Sequence, residues 1–292
     1  MPRIHSNGIT LEVESFGSPR APAIILVMGL GAQLTRWNQS LCDLLTHRGF
    51  RVIRFDNRDC GLSTHLDAFP PPALGRAARS GSFPAAAYSI ADMARDCVGL
   101  LDALEIERAH FAGASLGGAV VQHVAADHPQ RVLSLTSIMA SSGNPLLPPP
   151  TPAAAAALMA PLPAVRDEAN IVADAIRRFR AVASPAYPTP ENTLQQMFAQ
   201  EYRRSFHPAG VARQLHALIA DGDRRPRLAR IQAPTVIVHG AADPLIRIEH
   251  GRDTAACIPG AQLLEIDGAG HDFPAALDAV FGDAICQATA RA

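Results

Sequence analysis

The residues Gly113, Ala114, Ser115, Leu116 and Gly117 spell G-x-S-x-G. They follow a short apolar run, AHFA, and precede a helical pattern, GAVVQHVAA. That is the context in which the motif has a mechanism. A serine at a sharp strand-to-helix turn is pushed into the open, and the chain passes so close that only small residues fit at Gly113 and Gly117. The helix start behind it offers free N–H groups to a developing anion.

A serine hydroxyl is a weak nucleophile without a base and an orienting acid. On a strand-turn-helix scaffold of this kind the order along the chain is serine, acid, histidine. TVIVHGAADPLI places Asp243 three residues past a strand end, and LLEIDGAGHDFP places His271 in a glycine-rich loop past the last strand. Both positions lie beyond the carboxyl ends of parallel strands, where active groups collect. An aspartate before proline also suits a plain turn, and a histidine there also suits a capping loop. The order and context of all three favour the catalytic assignment.

An acyl-transfer serine needs donors for the oxyanion. The N–H of Leu116 is one candidate. LVMGLGAQ, an apolar strand running into Gly29-Leu30-Gly31, supplies the N–H of Leu30 as the other. The remaining histidines are weaker candidates. His239 reads as buried or in a loop. His123 and His128 should face away from the cleft or toward solvent, and His207 and His216 lie in an insertion, where they could touch substrate although a surface role is favoured. No HExxH and no clustered ligand set points to a metal, and no cofactor is implied.

The elements that must position these groups alternate. LEVESF, AIILVMG, RVIRFDN, AHFAGAS, VLSLTSIMA, TVIVHG and AQLLEID read as strands, several of them apolar throughout as in a sheet covered on both faces. Helical patterns cover Thr35–Arg48, Ile90–Leu104 with Ser89 as cap, Gly117–Asp127, Arg247–Cys257 and Ala275–Thr289. Strand and helix in alternation predict an α/β fold with a mostly parallel sheet. The alternation stops between Ser141 and Arg230. A proline-rich stretch from Asn144 to Pro163 reads as a stiff linker into helices over Arg166–Val182, Glu191–Arg204 and Ala209–Ala220. Residues 1–140 and 231–292 are therefore assigned to the core and 141–230 to a helical cap.

Composition narrows the function classes. The 292 residues are 48% hydrophobic and 18% charged, with net charge −1. This supports a large core and gives no electrostatic footprint for nucleic acid or an anionic membrane. All 26 basic side chains are arginine, which excludes Schiff-base and P-loop lysine chemistry. Five scattered cysteines without CxxC indicate neither a disulfide framework nor a zinc site. No signal peptide is evident and no run is long enough to span a bilayer, so a cytoplasmic location without stable membrane insertion is expected.

These motifs resemble the α/β-hydrolase superfamily over nearly the whole chain. MGLG, DNRDCGLS, GASLG, HGAADPL and GAGHDFP carry the likeness. Within it the sequence is similar to bacterial serine esterases and lipases of the kind that includes aclacinomycin methylesterase. The resemblance implies an eight-stranded, mostly parallel sheet with helices on both faces and a helical cap after the sixth strand. It implies cofactor-free ester hydrolysis with Ser115 as nucleophile, Asp243 orienting, His271 as base, and Leu30 and Leu116 donating to the oxyanion. DNRDCGLS matches a D-x-R-G-x-G-x-S turn, with Asp59 where glycine is usual; Asp56 and Arg58 should brace loops. Met28 stands where many relatives have histidine, and is expected to make the pocket rim more apolar. The partner is a small ester, apolar because the cap is apolar. The cap face could also pair subunits as a homodimer. Perhydrolase or haloperoxidase chemistry, carbon–carbon bond hydrolysis and, last, a non-catalytic receptor are the competing readings.

Overall fold

The computed structural model describes residues 3–72 and 85–292. Its strands are β1 Arg3–Ser6, β2 Ile9–Phe16, β3 Ala23–Val27, β4 Arg51–Phe55, β5 Ala109–Ala114, β6 Val132–Ile138, β7 Thr235–Gly240 and β8 Gln262–Ile266. They form one sheet in the order β1-β2-β4-β3-β5-β6-β7-β8. β1 and β2 are antiparallel, β2 meets β4 antiparallel, and the six strands from β4 to β8 run parallel. The expected eight-stranded, mostly parallel α/β sheet is therefore present. β1 was not anticipated; its four residues alternate weakly, and it exists by pairing with β2 around the Asn7-Gly8 turn.

The period-two rule divides the apolar strands between two cores. Ala23, Ile25 and Val27 of β3 join Ala109 and Phe111 of β5 on one face. Ile24, Leu26 and Met28 join Ala112 and Ala114 on the other. Helices α2 (Ile90–Ala103) and α3 (Leu116–Asp127) cover the first face, and α1 (Gln39–His47) and the last helix cover the second. Ser89 caps α2 with a full capping box: it accepts from the Asp92 N–H, and Asp92 accepts from the Ser89 N–H. Helix α3 is buried along nearly its whole length, which is why its pattern is apolar all round rather than striped.

Between β6 and β7 lie α4 Pro152–Met159, α5 Glu168–Arg180, α6 Glu191–Arg204, α7 Pro208–Asp221 and the short α8 Arg225–Leu228. No strand interrupts them among the described residues. After β7 come α9 Ile248–Cys257 and, past β8, α10 Asp278–Thr289. The stretch read as a stiff linker contains α4. Thr151 caps it and Pro152 takes a first-turn position, where a missing N–H costs nothing, so proline here starts a helix instead of preventing one. Ile176, Leu194 and Phe198 form a small separate core between α5 and α6. No described helix is long and apolar enough to cross a membrane.

Candidate active site

Strand order reverses at β3, which lies between β4 and β5, and ligands bind in the crevice that such a reversal opens. The register pairs Val27 with Gly113. The loop after β3 and the turn after β5 are thus neighbours, which brings Gly29-Leu30 beside Ser115.

Ser115 has φ 54° and ψ −118°, a backbone state costing on the order of 1–3 kcal/mol for a side chain other than glycine. Surrounding packing holds it there. Its N–H donates to Ile138 O at 2.9 Å. A methyl group on Gly117 would lie 2.1 Å from Val27 O, and one on Gly113 would lie 2.3 Å from Gly117 O. The two glycines are a steric requirement of the turn, as the sequence suggested.

The three expected groups meet although 156 positions separate the outer two. The Ser115 hydroxyl lies 3.0 Å from His271 Nε2. His271 Nδ1 lies 2.7 Å from Asp243 Oδ2. The other Asp243 oxygen accepts the N–H groups of Leu245 and Ile246 at 2.8 and 2.9 Å. A carboxylate held this way accepts from Nδ1–H, which leaves the Nε2 lone pair for the serine proton. Leu116 opens α3, so its N–H has no acceptor within the helix. Leu30 follows Gly29, whose added methyl would touch Ser115 Cβ at 3.2 Å. Both N–H groups belong to segments that border the Ser115 hydroxyl.

His239 comes within 3.7 Å of Asp243 but does not compete for the base role. Burial pushes its pKa down, and the neutral ring donates from Nε2 to Ile246 O at 2.7 Å, bracing the acid loop. His128 is half-buried just past α3. The solvent alternative for His123 and the surface reading of His216 need correction. His123 is buried and its Nε2 meets Asp221 of α7 at 3.1 Å; it faces neither solvent nor the cleft. His216 is buried too, not at the surface. Met28 is buried in the second core instead of lining a rim, and its carbonyl accepts from Asn57 Nδ2 at 2.8 Å.

Asp56 and Arg58 brace loops. Asp56 accepts the N–H groups of Leu34 and Leu62, each at 2.8 Å, and pairs with Arg204 of α6 at 2.7 Å. Burial nevertheless raises its pKa, outweighing Arg204. Arg58 forks onto both oxygens of Asp96. Sequence reasoning missed the cap residues that hold the site. Gln214 of α7 accepts the Gly31 N–H at 2.9 Å and donates to Arg58 O at 2.7 Å, fixing the loop that carries Leu30. Arg213 forks onto Asp59 at 2.7 and 2.8 Å. The only sequence signal was Asp59 in a glycine position, and its φ is indeed 64°.

His65, Asp67 and His207 bring ligand atoms within 4.8 Å of one another. The two rings are stacked 3.8 Å apart and parallel to within 3°. In that pose their in-plane lone pairs do not converge on one ion, and His207 Nε2 already accepts from Arg213 at 3.0 Å.

A family model described as alpha/beta hydrolase fold matches residues 22–274. Rhodomycin D methylesterase from a Streptomyces species is 28% identical, over 99% of this chain and 98% of its own. The 3-oxoadipate enol-lactonase 1 of Acinetobacter baylyi is 29% identical over 86% and 85%. Among solved structures, a hydrolase from Pseudomonas aeruginosa is 30% identical with TM-score 0.73 over 98% of this chain and 96% of that one. An enol-lactonase from Burkholderia xenovorans has TM-score 0.75 at 24% identity over 99% and 100%, a likeness of fold.

Proposed function

Because the chain belongs to the alpha/beta hydrolase family and is a carboxylic ester hydrolase, we propose that it cleaves esters of apolar acids or alcohols through an acyl-enzyme on Ser115. His271 Nε2 takes the hydroxyl proton as Oγ attacks the ester carbonyl. Asp243 stabilises the imidazolium through Nδ1–H. The tetrahedral oxyanion faces the N–H groups of Leu30 and Leu116. Collapse expels the alcohol, which takes the proton from His271. Water then attacks the acyl-enzyme with His271 again as base, releasing the acid and restoring Ser115.

The observation that carries this reading is the unbroken relay from Ser115 to His271 to Asp243, at 3.0 and 2.7 Å, behind a strained serine. The methylesterase relatives span nearly the full chain, which makes methyl esters the first substrates to try.

The test is hydrolysis of methyl esters and a p-nitrophenyl series from acetate to palmitate, by wild type and Ser115→Ala. Removing the nucleophile should lower turnover by about 10⁶. Activity that survives in the variant, or absence of activity in both proteins, sinks the reading and turns attention to carbon–carbon cleavage or peroxide chemistry.

A further inference from the structure

The loop that carries His271 has its hydrogen bonds completed by the cap. Val182 O accepts the His271 N–H at 2.7 Å, and the Ala186 N–H donates to Gly268 O at 3.1 Å. Between them stands Ser184. Its hydroxyl oxygen accepts the Gly270 N–H at 2.8 Å. Its own N–H donates to Asp272 Oδ1 at 3.0 Å, and its hydroxyl proton goes to the same oxygen. The approach is too close for side chains on the loop. A methyl at Gly270 would lie 2.6 Å from Val182 O, and one at Gly268 would lie 2.4 Å from the Ala186 Cβ.

Asp272 follows the proposed base and is buried, with its second oxygen unpartnered among the described residues. The titratable groups acting on it are His271, which attracts its charge, and Asp243, which repels it. Burial raises its pKa and the Ser184 bonds oppose that. Neither Ser184 nor Asp272 has a part in the acyl-transfer steps. A buried carboxyl anchored by a serine from another layer, one residue from the base, needs a reason.

Resting on the reading of His271 as general base, we infer that Ser184 and Asp272 are positioning residues for it. Ser184 fixes both the Gly270 N–H and the Asp272 carboxyl, and so fixes the loop that holds the imidazole between Asp243 and Ser115. The Asp272 carboxylate adds negative charge that favours the imidazolium formed during attack. The inserted segment is then part of the base assembly.

Two variants test this, Ser184→Ala and Asp272→Asn. Each is followed by thermal melting, by kcat and KM on the best p-nitrophenyl ester, and by NMR titration of the His271 ring protons. Ser184→Ala should lower kcat about tenfold, with KM within twofold, because a displaced base costs rate rather than binding. Asp272→Asn keeps an acceptor for Ser184 but removes charge. It should move the acid limb of kcat/KM, and the His271 titration, about half a pH unit lower. Unchanged kcat in the first variant with an unmoved titration in the second overturns the inference. If Ser184→Ala fails to fold, Asp272→Asn decides alone. If wild type hydrolyses no ester, the function reading fails by itself, and the NMR titration still decides whether Asp272 acts on His271.

Discussion

The cap meets the core at two junctions of different chemistry. On the side of the loops after β3 and β4, α7 is held by a buried ion pair, Arg213 to Asp59, with Gln214 beside it reaching Gly31 and Arg58. On the side of the loop after β8, residues 182–186 are held by main-chain bonds and one serine. The first junction is strong only while both charges are present, since each partner alone would be a buried charge in a dry place. The second has less to lose at any one atom, but every bond in it ends on the loop of the proposed base. The first therefore governs whether α7 stays docked, and the second governs where an imidazole points.

Breaking the first junction from one side should give the largest stability effect. Arg213→Ala leaves Asp59, 1% exposed, without its fork. The expected cost is about 3–5 kcal/mol, which differential scanning calorimetry would read as a fall of roughly 10 °C in Tm. A fall under about 3 °C would mean that water replaces the guanidinium, and that the pair is no lock.

A smaller and more selective effect belongs to Gln214, which is fully buried and spans Gly31 and Arg58. Gln214→Ala orphans one N–H and one carbonyl, at about 1–3 kcal/mol. Because the Gly31 N–H neighbours Leu30, kcat should fall about tenfold while KM changes little, as for a loosened oxyanion donor. Equal losses in kcat and in Tm-corrected folded fraction would place Gln214 with the structural lock instead.

This contrast marks the limit of what the sequence could tell. The strands, the serine turn and the order of Ser115, Asp243 and His271 were readable because each rests on local pattern: apolar alternation, glycines at forced close contacts, and loops past strand ends. The cap resisted the same method. The pattern over Ala209–Ala220 gave a helix there but did not say which face it buries. The buried face carries Arg213, Gln214 and His216 beside Ala217, Leu218 packs partly buried on the first core, and Ile219 is exposed. Helix α7 packs on polar loops as well as on the first core, so part of the face it buries is chosen by partners such as Asp59 and the Gly31 N–H. Nothing within the helix names those partners. The proline-rich approach misled for a related reason, since a proline at a first helical turn looks, in isolation, like a breaker.

The smallest expected effect is also the sharpest test of the two-junction contrast. Asp59→Gly with Arg213→Leu removes both charges at once and returns glycine to a residue at φ 64°. The Leu66 N–H loses its acceptor at 2.8 Å, but Leu66 is half-buried and within reach of water. Replacing a buried pair by apolar volume is often neutral or better, and glycine relieves the backbone. The double variant should therefore melt within a few degrees of wild type at pH 7. The pH dependence gives the sign of the pair. Burial works to raise the Asp59 pKa, but the Arg213 fork prevails and holds it below the usual carboxylate value. A folded-state value below the unfolded one gives stability that is present above about pH 4 and is lost as pH falls through the folded value. Wild type should accordingly lose stability faster than the double variant on acidification below about pH 4, and the two should run parallel above it. Parallel curves throughout would mean that Asp59 is no more acidic folded than unfolded. The buried pair would then be a matter of shape, and the chemical difference between the two junctions would disappear.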